Sequence, residues 1–409
     1  MAQNSNYWFS TCPTKHTTSS GLIRNADVLI IGGGITGLSL LFQLLVSGIS
    51  NTYLVDEASV GFHGSGRGSG QLMLRGAKLF SKMPEQKGVE YLNFIDNNNK
   101  KFVKSLRVVK FDTDLRECGG LRLAINDEEL ADLKIEAQFL NDYREIKCTI
   151  LDQEFIKYLM PDCGFVGGMF VPTEITFNPY KIINGLRELI ELNGSRVLTN
   201  SCVESVTANN DGTLNVAVRH KGTIRAKHVV YCNDAYIPEL VPELIPILTS
   251  YRGQMLATDH LPEETINKFP QMSMSCHDGN EYFRLYGSRL LVGGMRHAVR
   301  GHQVGIINDS DISPAVNDKL RNFVNEALPC LGDVKFLYSW SGIMCSTPDG
   351  LPLIGKLPNR VSQYVFGGFG NYGFSHSIQG SILIKDLIIK GESNSSYIKL
   401  FDPERFLCN

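Results

Sequence analysis

The chain has little that could hold a metal or a disulfide framework. Its 10 cysteines are scattered from Cys12 to Cys408, with no C-x-x-C pair and no histidine-rich tract. That pattern argues against zinc and against a disulfide scaffold. The cysteines are expected to be reduced, most of them buried as small apolar residues. No uninterrupted apolar run approaches the ~18 residues of a membrane span. The opening MAQNSNYWFSTCPTKHTTSSG lacks the apolar core of a signal peptide, so a cytoplasmic location is expected. Asn193-Gly194-Ser195 and Asn394-Ser395-Ser396 fit the glycosylation pattern, which carries no meaning without a secretion signal. A net charge of -2 gives no reason to expect nucleic acid or an anionic membrane as partner. What remains is an ordinary composition, 43% hydrophobic and 20% charged. The length of 409 residues suggests two domains.

Against this background one stretch organises the rest, Ala26 to Leu72. Val28-Leu29-Ile30-Ile31 reads as a buried parallel strand. Gly32, Gly34 and Gly37 follow in G-x-G-x-x-G spacing, and the periodicity predicts a helix from Thr36 to about Ser47, ended by Gly48. Gly32 permits the strand-to-helix turn, Gly34 lets the backbone approach a pyrophosphate, and Gly37 lets helix and strand pack closely. The helix start, with Ile35 and Thr36, offers N–H groups and a partial positive charge to a diphosphate. A second strand, Thr52 to Val55, ends at Asp56 and Glu57. Asp56 stands near the usual distance for a carboxylate on a ribose hydroxyl, and Glu57 is the neighbouring candidate. Strand alternation should aim one of the two at the sugar.

The segment Gly61-Phe62-His63-Gly64-Ser65-Gly66-Arg67-Gly68-Ser69-Gly70-Gln71 is too glycine-rich for a helix or strand interior. It supplies backbone N–H groups, two small hydroxyls and one arginine, as a loop running along a diphosphate and then a flat ring would need. Here the sequence resembles the FAD-dependent oxidoreductases of the D-amino-acid oxidase family. The run V-G-F-x-x-S-G-R-x-x-G-Q is most similar to the gamma-glutamylputrescine oxidase branch. The resemblance implies that Ser65 and Arg67 meet the pyrophosphate and ribityl chain, with Gly64 beside them. It also implies that Gly68, Ser69, Gly70, Gln71 and Leu72 pass beside the flavin ring. Gly68 and Ser69 stand where the branch has Asn and Gly.

Tyr7-Trp8-Phe9 interrupts a polar arm, 1–21, which reads either as a loose tail or as an aromatic anchor. After Leu72 a helical region is expected to about Lys104, with Asn97-Asn98-Asn99 as a turn or exposed face. Strands are expected at Val108 to Phe111 and Gly120 to Ala124, and a solvated amphipathic helix over Asp127 to Asn141. Gly164 to Pro172 reads as a strand or hairpin and Pro179 to Leu192 as a helix. A small antiparallel unit is expected over 202–231. The resemblance implies that Val203 lies near the adenine and that Cys232 and Asn233 end a strand beside the FAD. Glu281 to Tyr286 and Leu290 to Met295 alternate with period two around a turn at Gly287-Ser288, the pattern of a hairpin. Ser313 to Ala327 reads as a structural helix. Trp340-Ser341-Gly342-Ile343 and the run to Gly355 resemble the family's W-x-G and T-x-D-G-x-P-x-I-G motifs, which implies a role for Gly342 at the cofactor. A second glycine loop ends in Gly370-Asn371-Tyr372-Gly373, and a helix is expected from Phe374 to Lys390. Its N-terminus could stabilise negative charge on a reduced flavin. Cys345 does not align with the cysteine that attaches FAD in some relatives, so non-covalent FAD is expected.

The expected fold is α/β: a doubly wound, glutathione-reductase-like FAD domain with an α+β substrate domain on a mixed, mainly antiparallel sheet. The FAD domain is expected from 22–82, 172–240 and 338–409, and the substrate domain from 83–171 and 241–337. Substrate contacts are expected from Gln71, Tyr282, Arg284, Arg296, Trp340 and Tyr372, with Arg252 a weaker candidate. An arginine there would suit a substrate carboxylate. His63, His297 and His376 read as structural, and no metal ligand is expected. The resemblance implies oxidation of a C–N bond in a small amine or amino acid, with hydride passed to the flavin and oxygen as final acceptor. A dehydrogenase with another acceptor, or a flavin protein without turnover, are the alternatives.

Overall fold

Two sheets carry the chain in the computed structural model, which describes residues 3–13, 23–74, 83–144, 146–194 and 196–407. The first sheet is built on the apolar strand Asn25–Ile31. Parallel neighbours place Gln363–Gly367, Gly222–Tyr231, Asn25–Ile31, Thr52–Val55 and Arg196–Leu198 side by side. Val203–Ala208 and Leu214–Val218 extend it as an antiparallel meander, and Leu353–Lys356 pairs with Gln363–Gly367. Helices Ile35–Val46, Pro179–Leu192 and Ser377–Lys390 cover one face through Leu38, Leu41, Ile183 and Ile384. The other face packs on Leu214, Val216, Ile237, Val241 and Leu244.

The second sheet has nine strands, in the order Gln3–Asn4, Phe336–Ser346, Thr249–Thr258, Arg289–Gly293, Glu281–Tyr286, Ser273–Cys276, Gly120–Ala124, Gly167–Val171 and Thr149–Asp152. Its pairs are antiparallel except at Gln3–Asn4 and between Ser273–Cys276 and Gly120–Ala124. Helix Pro314–Ala327 covers it with Val316, Leu320 and Phe323. Residues 338–346, assigned above to the cofactor side, run inside this second sheet, paired with Thr249–Thr258.

Three local expectations change. No strand forms at Val108 to Phe111, because the helix Glu85–Val108 carries on through Phe102 and Leu106, which pack on Phe177. The Asn97-Asn98-Asn99 run lies inside that helix, and Asn98 is fully buried. The last long helix begins at Ser377 rather than Phe374, after a turn over 373–376. The part of the expected helical region at 75–82 lies outside the described residues.

Candidate functional site

One cleft, about 1640 Å³ of empty space including its open mouth, is lined by the Gly32 to Gly34 turn, by the first glycine loop at Gly61, Gly64 and Gly68, and by the second at Gly370 to Gly373. The two ends of the chain therefore meet at one cavity, which the nine-stranded sheet closes through Tyr282, Ile343 and Met344. Gly32 adopts φ +113, and a Cβ there would lie 2.6 Å from the carbonyl oxygen of Cys232. A Cβ on Gly37 would overlap the carbonyl oxygen of Gly32. Both positions need glycine because the turn, the helix and the strand end at Cys232 pack backbone to backbone. Helix Ile35–Val46 opens on Gly34, which has no side chain to cap it, so its N-terminal field faces the cleft. Ser65 Oγ accepts the Ile35 N–H at 3.1 Å and ties the first loop to that helix start.

The acid at the end of Thr52–Val55 is Asp56. Its carboxylate accepts the N–H of Gly33 at 2.5 Å and of Ala58 at 2.8 Å. Burial raises its pKa, and the two backbone bonds oppose the shift. Glu57 points instead to His63, whose hydrogen bond lowers the Glu57 pKa. His63 is held on both sides, Nδ1 at 2.9 Å from Asp309 and Nε2 at 3.2 Å from Glu57. Burial disfavours the imidazolium, but the two carboxylates outweigh it and push the pKa up to about 9.

The first loop, 61–70, is held from behind. Asn6 Nδ2 donates to Gly66 O at 2.9 Å, Trp340 Nε1 to Arg67 O at 2.8 Å and Trp8 Nε1 to Gly68 O at 2.7 Å. These N–H donors take three successive carbonyls on the side away from the cleft. The Tyr7-Trp8-Phe9 patch is thus an anchor, with Trp8 fully buried. The second loop is held by Asp234, which accepts the Gly368 N–H at 2.8 Å. His376 Nδ1 lies 2.7 Å from Tyr372 O, and its Nε2 3.0 Å from Tyr91 Oη. A carbonyl only accepts, so Nδ1–H is the donor to Tyr372 O. Asn98 donates to Phe374 O at 2.9 Å and accepts the N–H groups of Ile378 at 2.9 Å and Gln379 at 3.0 Å. The start of the last helix is therefore already bonded to Asn98, and the turn Gly373 to Ser375, not the helix itself, lines the cleft.

Most of the expected cofactor residues line this cavity: Gly32, Gly34, Ile35, Thr36, Asp56, Glu57, Gly64, Ser65, Gly68, Ser69, Gln71, Val203, Cys232, Asn233 and the run Gly370 to Phe374. Five do not. Gly37 serves the backbone packing. Arg67 turns away to donate to Phe62 O at 2.6 Å, Ser341 O at 2.9 Å and Asp309 O at 3.2 Å. Gly70 lies against Phe177 O, Leu72 packs with Phe177 and Phe102, and Gly342 backs onto the Arg67 side chain. Cys345 is buried with Leu353 and Val365 in the core under the first sheet and does not line the cleft.

Of the expected substrate contacts, Gln71, Tyr282 and Tyr372 line the cleft, and the other four do not. Arg284 is buried, donates to Phe177 O at 2.7 Å and stacks on Trp8. Trp340 belongs to the same aromatic cluster. Arg252 is taken by Gln303 and by Asp311 O, and Arg296 lies over the Tyr251 ring. Among the described residues no lysine or arginine lines the cleft. His63, Met73, Asp234, Tyr236, Glu239 and Met344 line it without having been singled out for it from sequence. Asp234 had a signal, the polar turn ending a buried strand. His63 stands inside the first glycine loop, where its residue type read as structural, and the others sit in stretches with no motif.

The residues fit a bound dinucleotide. Two buried acceptors on the cleft wall, Gln71 Oε1 and Asn233 Oδ1, have no hydrogen-bond partner among the described residues. Such atoms are costly unless a ligand satisfies them. A side cavity shares Met73 and Tyr372 with the cleft and carries Glu129, Asp132, Glu136 and Asp278. Its one arginine, Arg122, is buried in ion pairs with Glu136 and Glu174.

Residues 27–385 match the family model "DAO: FAD dependent oxidoreductase". The chain is 25% identical over 399 residues to gamma-glutamylputrescine oxidoreductase of Escherichia coli (strain K12), covering 95% of this chain and 90% of that protein. L-proline dehydrogenase from P. horikoshii superposes with a TM-score of 0.78 at 19% identity, over 94% of this chain and 98% of that one. Glycine oxidase from Geobacillus kaustophilus gives 0.77 at 19% identity, over 92% and 98%.

Proposed function

The chain belongs to the DAO family of FAD-dependent oxidoreductases, and we propose that this enzyme oxidises a C–N bond of a small amine. Bound in the cleft, FAD would accept hydride at N5 from the carbon beside the amine nitrogen, the imine then hydrolysing and oxygen reoxidising the flavin. The observation that carries the reading is the meeting of both glycine loops at one cavity with two unsatisfied buried acceptors.

In this reading Asp56 takes the ribose, the Gly34–Thr36 backbone the pyrophosphate, and Gly68, Ser69 and Gln71 with Gly370 to Phe374 the ring; their place on the cleft wall supports it. Cys345 lying off the cleft supports non-covalent binding, with Cys202 and Cys232 the cysteines that remain on its wall. In this reading the cofactor part comes from 22–82, 172–240 and 338–409, with 338–346 also serving the second sheet. The substrate part comes from 83–171 and 241–337, and 1–21 is an N-terminal arm whose Asn6 and Trp8 anchor the first loop. Gln71, Tyr282 and Tyr372 orient the substrate and keep water from the reacting carbon.

The wall favours an amine over an amino acid. A carboxylate needs a guanidinium or ammonium partner when desolvated, and the described wall has none. The acid-bearing side cavity suits a substrate whose far end is cationic or neutral. The E. coli relative's name points to a substrate of the polyamine kind. Anaerobic mixing with amines, polyamines, and N-methyl and cyclic amino acids tests this. Amines should bleach the bound flavin fastest, and bleaching by amino acids alone would overturn the preference. Peroxide released under air identifies oxygen as the acceptor; its absence, with turnover on an artificial dye, identifies a dehydrogenase. Among the described residues no helix is long and apolar enough to cross a membrane.

A further inference from the structure

Behind the Tyr282 wall, the turn 277–280 gathers a donor set that sequence spacing hid. Cys276 Sγ, His277 Nδ1 and a Glu281 carboxylate oxygen lie within 4.8 Å of one another. The sulfur stands 3.7 Å from His277 Nδ1. That separation suits two ligands of a tetrahedral zinc with bonds of ~2.3 Å to sulfur and ~2.0 Å to nitrogen. Glu281 is fully buried and contacts His277 Nδ1 through one oxygen. Its other oxygen accepts the Met295 N–H at 3.1 Å and lies 3.2 Å from His297 Nδ1. His277 Nε2 faces Glu129 at 3.9 Å.

The backbone is bent to make this arrangement. His277, Asp278 and Gly279 adopt φ of 48, 56 and 78 in succession, and Met295 adopts φ 56 across the gap. Left-handed backbone at His277, Asp278 and Met295 is costly and gathers where geometry is functional. His277 and His297 are 25% and 40% exposed, which gives an ion a way in.

We propose that Cys276, His277 and Glu281 form a divalent metal site of zinc type, with His297 orienting the carboxylate and Glu129 the imidazole. Thiolate and imidazole select zinc over magnesium or calcium. Carboxylates and histidines behind the ligands are the usual supporting shell. Binding releases the Cys276 thiol proton to solvent, shifts the His277 proton from Nδ1 to Nε2, where Glu129 faces it, and replaces the His277–Glu281 hydrogen bond with two metal bonds. An occupied site would brace the cavity wall, since Glu281 precedes Tyr282 and a Cβ on Gly279 would lie 3.7 Å from Tyr372 Oη.

The test uses the flavin-loaded protein, stripped with a chelator and titrated with Co²⁺. One equivalent should give thiolate-type cobalt absorption at wavelengths beyond the flavin's own bands. Zn²⁺ should displace it and raise the melting temperature. Cys276→Ser and His277→Asn should each abolish the signal while keeping the wild-type flavin spectrum. Cys118→Ser, at a distant thiol, should leave the signal intact. His297→Gln and Glu129→Gln should weaken binding about 10–100-fold. No cobalt signal in the wild-type protein, or an unchanged one in Cys276→Ser or in His277→Asn, overturns the proposal and leaves the cluster a histidine–carboxylate clamp.

Discussion

The two glycine loops reach the same cavity and are held there by different parts of the chain. The first, 61–70, is gripped by its carbonyls, through Asn6, Trp8 and Trp340, all carried by the arm and the second sheet. In the second, Gly368 is gripped by its N–H through Asp234, and the following turn is held by His376 and Asn98. The first loop therefore depends on residues remote in sequence, up to 273 positions away. The second depends on one strand end and on the helix Glu85–Val108. A glycine-rich loop has few side chains with which to fix itself, so much of its conformation comes from whichever elements supply donors and acceptors.

The largest expected effect is at the shared backbone contact. Gly37→Ala places a methyl on Gly32 O and should cut flavin content per chain at least tenfold, read from absorbance after gel filtration. Trp8→Ala tests the grip on the first loop. It removes a fully buried indole and its bond to Gly68 O, and should cost about 3–5 kcal/mol in urea unfolding. Asn98→Ala tests the second loop and should cost about 1–3 kcal/mol, with weaker FAD binding and no change in the first loop's proteolytic protection.

His63 sharpens the comparison by pH, since it joins the first loop to Asp309. Its folded pKa, about 9, is raised above the ordinary value of 6.5. The protonated clamp therefore contributes fully below about pH 6.5 and is lost as pH rises through about 9. Melting temperature should fall across that window more steeply for the wild type than for His63→Gln, and the curves should run parallel above it. The smallest effect is expected at Arg296, which stacks on Tyr251 away from the cleft. Arg296→Ala should change stability by less than about 1 kcal/mol and leave the amine concentration for half-maximal flavin reduction unchanged.

The same contrast explains what the sequence disclosed. The strand, the glycine spacing, the helix and Asp56 are close in sequence, so local pattern was enough to expect them at one site, and they line one cleft. Both glycine loops were legible because φ above zero or a close backbone approach calls for glycine at Gly61, Gly66, Gly70, Gly368 and Gly370. The anchors were not. Asn98 sits in an asparagine run that reads as surface, and only the fold shows it capping a helix nearly three hundred residues on. Arg67, Arg284 and Trp340 looked like ligand contacts because their residue types suit that task. Burial assigned them instead to the arm and the loop's outer side. Residue type discloses what a side chain can do, and packing decides what it faces.

The claim that both ends of the chain grip one FAD is tested most directly by counting flavin in purified wild type, Gly34→Val and Gly370→Val. Gly34 lies at the first helix start and Gly370 in the second loop, at φ +63. One FAD per wild-type chain and near-complete loss in both folded variants is the expected result. Full retention in Gly370→Val, with unchanged affinity, would contradict the shared grip.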